Sequence, residues 1–139
     1  MSNNKIQYQT KVFAIKLISD RIVENSVFNR ATLDVDDVKE AKQKNIELTK
    51  GLPYAYLATQ GEFSHVTTKA KELLASKELA ENTVAKALLI QSLSDRILAN
   101  FYLKINKPFV KTKIFTDRDK AIDWLKKEIQ LFDQSNQTK

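Results

Sequence analysis

The sequence predicts an α/β domain in which an opening β-hairpin precedes alternating strands and helices, giving a mostly parallel five-stranded sheet covered by about four helices. Three observations predict it. Apolar residues alternate with period two near the N-terminus, and further on, stretches with a spacing of three to four alternate with short apolar runs. Gly and Pro number only 2 each, too few for the many tight turns of a sandwich or barrel. Hydrophobic residues make up 42% and charged residues 29% of 139, which is the balance of a folded chain and a length suited to one domain.

Ile6 to Ile18 alternates as a strand, with Phe13, Ile15 and Leu17 on one face. Ser19-Asp20-Arg21 breaks it and Ile22 to Phe28 resumes, which predicts an antiparallel hairpin. Asp34, Asp36 and Asp37 crowd a helix start, where the macrodipole favours acids. Val35, Val38, Ala41 and Leu48 follow at helical spacing until Gly51-Leu52-Pro53 stops the helix. Tyr54 to Thr59 reads as a short buried strand. The loop from Gln60 to Val66 leads to Thr67 or Thr68 as the N-cap of a second helix, with Ala70, Leu73 and Leu74 on its inner stripe. Val84 to Ile90 is a nearly continuous apolar run, suited to a strand covered on both faces. Ser92 and Asp95 have capping-box spacing ahead of a third helix, whose stripe of Ile97, Leu98, Phe101, Tyr102 and Ile105 is expected to pack inward. Asn106-Lys107-Pro108 ends that helix and Lys111 to Phe115 forms the last strand. Thr116 and Asp119 then open a final helix that buries Ala121, Leu125 and Ile129. Asp133 to Lys139 is polar and expected to be a flexible tail of a single domain spanning residues 1–139.

Zero Cys removes disulfides, thiolate metal sites and cysteine nucleophiles. No apolar run is long enough to span a bilayer, and no apolar segment follows Met1-Ser2-Asn3-Asn4-Lys5, so a cytoplasmic location is expected. His65 is the sole imidazole, with Glu62 nearby. Lacking a partner nucleophile at a defensible spacing, it is read as a surface or structural residue rather than an acid–base group. The acids at Asp34, Asp36 and Asp37, and at Asp117 and Asp119, sit at helix starts and need no metal to explain them. Neither Gly51 nor Gly61 belongs to a phosphate-binding loop. The reading therefore assigns no catalytic residue, no metal and no cofactor. Lys104, Lys107, Lys111 and Lys113 form the main charge feature, an acid-free segment interleaved with Phe101, Tyr102 and Phe109. Such a mixture can hold phosphates and stack bases. The net charge of +6 is modest and no nucleic-acid reader motif is present, so an anionic small ligand, a lipid headgroup or an acidic protein surface is preferred to nucleic acid.

Four stretches carry a resemblance: Ala87-Leu88-Leu89-Ile90-Gln91-Ser92, the segment from Asn100 to Pro108, Lys113-Ile114-Phe115-Thr116-Asp117, and Ala121-Ile122-Asp123-Trp124-Leu125. Together they resemble a family of small uncharacterised bacterial proteins similar to STAS-like domains. This is the SpoIIAA-like fold of anti-sigma-factor antagonists and of sulfate-transporter cytoplasmic domains. The resemblance implies a STAS-like α/β sandwich with no catalytic apparatus common to the class. In its signalling members a Ser or Thr that opens the helix after the third strand is phosphorylated by a partner kinase. The matching positions here are Ser64, Thr67 and Thr68, although the Asp-Ser-Ser-Gly-type run of those members is missing and a plain helix cap outweighs a phosphoacceptor. The expected function is a non-catalytic binding or regulatory module acting through a protein partner or an anionic ligand, with a homodimer formed through the hairpin or a free sheet face. The alternative is a small-molecule or lipid carrier with an apolar pocket between sheet and helices, since STAS-like folds resemble lipid-binding CRAL-TRIO domains.

Overall fold

The computed structural model describes residues 5–137. The single strand expected from Ile6 to Ile18 is two strands, β1 (Ile6–Gln9) and β2 (Phe13–Ser19), paired antiparallel. Thr10 makes the turn between them: its Oγ1 accepts the amides of Val12 and Phe13 at 3.0 and 3.2 Å, so a side chain folds the backbone where no glycine is available. β3 (Ile22–Val27) completes the antiparallel part against β2. The main sheet consequently has six strands rather than five.

Every later connection carries a helix, as parallel crossovers require. β4 (Thr32–Leu33) and α1 (Val35–Leu48) lead to β5 (Tyr54–Gln60). β6 (His65–Val66), α2 (Thr68–Ala75) and a 3-10 turn (Glu78–Ala80) lead to β7 (Thr83–Leu89). α3 (Leu93–Asn106) leads to β8 (Lys111–Phe115), and α4 (Arg118–Gln137) closes the chain. The sheet order is β1-β2-β3-β5-β7-β8 with β3, β5, β7 and β8 parallel, while β4 and β6 pair with each other apart from it.

The helix starts follow their local chemistry. Asp34 closes a reciprocal capping box: its Oδ1 accepts the Val35 amide at 2.8 Å, and Asp37 Oδ2 accepts the Asp34 amide at 2.9 Å. Thr67 Oγ1 accepts the Ala70 amide at 3.1 Å, and Ser92 Oγ accepts the Asp95 amide at 3.0 Å. At α4 the capping side chain is Asp117 rather than Thr116, its Oδ1 accepting the Lys120 amide at 3.1 Å. The segment expected to be a tail from Asp133 is helix as far as Gln137. Arg21 holds it there, donating to both Asp133 carboxylate oxygens at 2.8 and 3.0 Å and to the Pro53 carbonyl at 2.7 Å. Thr138 and Lys139 lie outside the described residues.

The pleat divides the core in two. On one face Phe13, Ile15, Val23 and Tyr54 pack with Val38 of α1 and Ala70 of α2. On the other, Ile22, Ala55, Leu57, Ala85 and Ala87 receive Ala121 and Leu125 of α4. Alanines on both sides of this second contact let α4 approach the sheet closely. Trp124 and Phe115 seal its edge with ring centroids 5.5 Å apart. α3 departs from expectation. Its inward positions are the half-buried Ala99, Tyr102 and Leu103; of the stripe expected inside only Tyr102 faces inward, while Phe101 is 63% exposed and Ile97, Leu98 and Ile105 are also exposed. The physical reason is what lies beneath it: α3 leans on α2 and the β8 edge across a cavity, so no packed surface draws its large side chains in.

Candidate ligand cavity

After Thr83, β7 is apolar on both sides except at Lys86. Strand alternation sends Ala85 and Ala87 toward α4, and sends Lys86 and Leu88 toward the face covered by α1, α2 and α3. On that face a cavity of about 330 Å³ lies between sheet and helices. The sheet supplies Phe13, Val27, Tyr54, Tyr56, Lys86 and Leu88; the helices supply Val38, Asn45, Leu74, Leu98 and Tyr102. Gln60, His65, Gln91 and Leu98 line it and are exposed, so it opens at the carboxyl ends of β5 and β7. That is where open α/β sheets hold their ligands.

Lys86 is 5% exposed and forms no ion pair among the described residues. Its Nζ lies between two aromatic rings, 5.3 Å from the centroid of Tyr56 and 5.4 Å from that of Tyr102. Burial pushes the pKa of its ammonium below the usual lysine range, with Tyr102 opposing that shift. The Tyr102 hydroxyl is itself buried and has no hydrogen-bond partner among the described residues. Burial pushes its phenol up, and the nearby Lys86 charge pulls it back. Burial likewise raises the Tyr56 phenol.

Other polar groups of the cavity bond to one another or to the surrounding protein. Asn25 and Asn45 exchange two amide hydrogen bonds at 2.9 and 2.8 Å. Lys42 Nζ donates to Thr83 Oγ1 at 2.7 Å and to the Glu81 carbonyl, and it sits 5.0 Å from the Tyr54 ring centroid. Burial lowers the Lys42 pKa to about 8. An ammonium without a counter-ion and a hydroxyl whose polar neighbour is that ammonium therefore share one wall of the cavity. Both can donate to a single acceptor placed between them.

Of the candidate site residues singled out by sequence, Ser64 lines this cavity, whereas Thr67, Thr68 and the four lysines do not. Lys104 and Lys107 lie at the end of α3, whereas Lys111 and Lys113 lie on β8 toward α4. There Lys111 pairs with Glu128 at 3.1 Å and Lys113 sits 5.3 Å from the Phe115 ring centroid. Lys107 and Lys111 line a separate shallow pocket together with Phe109, and none of the four lines this cavity. Ser64 Oγ donates to the Gly61 carbonyl at 2.8 Å. Thr67 Oγ1, besides capping α2, donates to Asp34 Oδ1 at 2.9 Å, and its place beside a carboxylate is an unfavourable one for a phosphate. Thr68 is exposed on the first turn of α2. Lys86 escaped the sequence reading. Its only signal there is a charged residue inside the apolar run from Val84 to Ile90.

The family model of a domain of unknown function, DUF7793, matches residues 16–129. The chain belongs to this family. The matched span of this DUF7793 chain includes the last four residues of β2 and every later strand of the sheet, together with every cavity residue named above apart from Phe13. No curated protein matches it. Among solved structures it is similar to an uncharacterised protein of the DUF3478 family from Shewanella loihica PV-4, a protein with a SpoIIAA-like fold. The TM-score is 0.57 at 13% identity, over 87% of this chain and 99% of that one. The DUF7793 chain thus has a SpoIIAA-like α/β fold. No helix among its described residues is long and apolar enough to cross a membrane.

Proposed function

We propose that this protein is a non-catalytic, STAS-like binding module whose cavity takes a small amphiphilic acid, with the apolar body between sheet and helices and the carboxylate at Lys86. The observation that carries this reading is a buried ammonium that has no counter-ion beside a buried hydroxyl that meets no hydrogen-bond geometry and has that ammonium as its polar neighbour, both on the cavity wall. A protein rarely buries either group without a compensating partner, and a ligand carboxylate would compensate both. The volume agrees, since small-molecule sites begin at roughly 300 Å³. Binding without catalysis accords with the polar inventory. His65 stands exposed at the mouth, and the Lys86 amine is flanked by phenol rings and forms no ion pair among the described residues with a carboxylate that could serve as its base.

The test compares octanoate with octan-1-ol, two probes of equal chain length, by calorimetry on the purified protein. Octanoate is expected to bind at least about tenfold more tightly, the worth of a charge-assisted hydrogen bond. Lys86→Met should erase that preference while leaving octan-1-ol affinity in place. Equal affinity of the two probes for the native protein would overturn the reading.

A further inference from the structure

α3 presents its apolar side to solvent. Leu93, Ile97, Phe101, Ile105 and Leu98 are all exposed, Leu93 by 73%, and on a helix of 3.6 residues per turn they fill an arc of about 140°. Phe109, 62% exposed, extends this apolar surface past the end of the helix. A backbone bond of 2.9 Å from its amide to the Ala75 carbonyl ties it to α2. A contiguous apolar surface of this kind on a soluble fold marks a docking site.

Charge indicates what docks there. Arg96, Lys104 and Lys107 are exposed around the apolar arc and form no ion pair among the described residues, and Lys77 lies 6.0 Å from the Phe109 ring centroid. The one acid of α3, Asp95, is turned toward the cavity. The face is therefore apolar and cationic with no acid of its own. Two copies meeting face to face would set these cations against one another with nothing to neutralise them. An anionic lipid surface accepts both features, the apolar side chains entering the acyl boundary and the lysines reaching back to the headgroups.

We propose that α3 and Phe109 dock this protein on an anionic bilayer surface, laying the helix in the interface without crossing it. Leu98 belongs both to the apolar arc and to the cavity mouth, so docking brings the mouth to the lipid. The inference goes beyond the ligand reading and does not depend on it.

Flotation of the full chain with two vesicle preparations tests it, one of phosphatidylcholine alone and one of phosphatidylcholine and phosphatidylglycerol in equal parts. The protein should float with the anionic vesicles and not with the neutral ones. The double variant I97E/F101E changes only exposed positions and should abolish flotation with an unchanged circular dichroism spectrum. K104S/K107S should weaken vesicle affinity by about fivefold per lysine removed. Lys86→Met should float like the native protein, which separates failure of this inference from failure of the ligand reading. Three results would overturn it: no flotation with either vesicle, flotation unaffected by I97E/F101E, or a dimer in sedimentation equilibrium that the double variant dissociates.

Discussion

Lys86 and Tyr102 make opposite demands on folding and on binding, which gives each a double signature. In the unliganded protein a buried ammonium held only by aromatic faces is a net cost, because two ring quadrupoles replace little of its hydration. Lys86→Met keeps the length of the side chain and removes the charge. It should raise stability in urea unfolding by about 1–4 kcal/mol, the range seen when buried charges give way to packed apolar groups, while octanoate selectivity disappears. A loss of stability would mean that Lys86 has a structural partner after all. Tyr102→Phe removes a hydroxyl that neighbours the Lys86 ammonium but meets no hydrogen-bond geometry among the described residues. It should leave the unfolding midpoint unchanged or slightly raised, yet weaken octanoate binding by a factor of about five, equivalent to one hydrogen bond of roughly 1 kcal/mol. Unchanged octanoate affinity in that variant would remove Tyr102 from the site.

Thr67 acts at the level of elements, since its hydroxyl joins the starts of two helices by accepting from Ala70 and donating to Asp34. The Asp34 carboxyl is held below its ordinary range by the Val35 amide first and by Thr67 second. Thr67→Ala should cost about 1 kcal/mol in urea unfolding, the usual worth of an N-cap, and Thr67→Ser should restore most of it. A negligible loss in Thr67→Ala would contradict the capping role. Capping residues of this sort were legible in the sequence because cap and capped amide lie within a few residues of each other. The exceptions also have physical causes. Thr10 splits the first strand through a side-chain turn that period-two alternation does not register. Periodicity identified an apolar stripe on α3 but not its direction, which is decided by the hollow beneath it. The four lysines from Lys104 to Lys113 look like one free patch along the chain, but the fold gives Lys111 the Glu128 carboxylate as a partner and sets it with Lys107 in a shallow pocket apart from the main cavity. Lys86 was visible as a residue and invisible as a site, because only the tertiary fold reveals that it has no counter-ion.

The whole molecule is a sheet whose two faces are built differently. The α4 face is closely packed and clamped at both ends. Arg118 grips the 6%-exposed Glu24 at 3.0 and 2.5 Å, and Arg21 grips Asp133. The opposite face encloses the cavity and holds the lysines and tyrosines whose pKa values burial displaces, and that displacement links stability to pH. Lys42 falls from 10.5 to about 8 and Lys86 is also lowered, both chiefly by burial. Between about pH 8 and the ordinary lysine range the unfolded chain therefore binds more protons than the folded one, so stability from these groups rises with pH across that window. Tyr54, Tyr56 and Tyr102 are shifted the other way by burial, above 10.0. Past that pH the folded chain holds protons that the unfolded chain releases, and stability falls. The urea midpoint should accordingly climb from pH 8 to about pH 9.5 and decline beyond about pH 10.5. Lys86→Met should climb less over the first interval and keep the decline, since Tyr54 and Tyr56 remain. A native midpoint that is flat or falling from pH 8 to about pH 9.5 would show that the cavity-side lysines are hydrated as ordinary surface lysines are. The buried, unpaired ammonium on which the ligand site rests would then be absent.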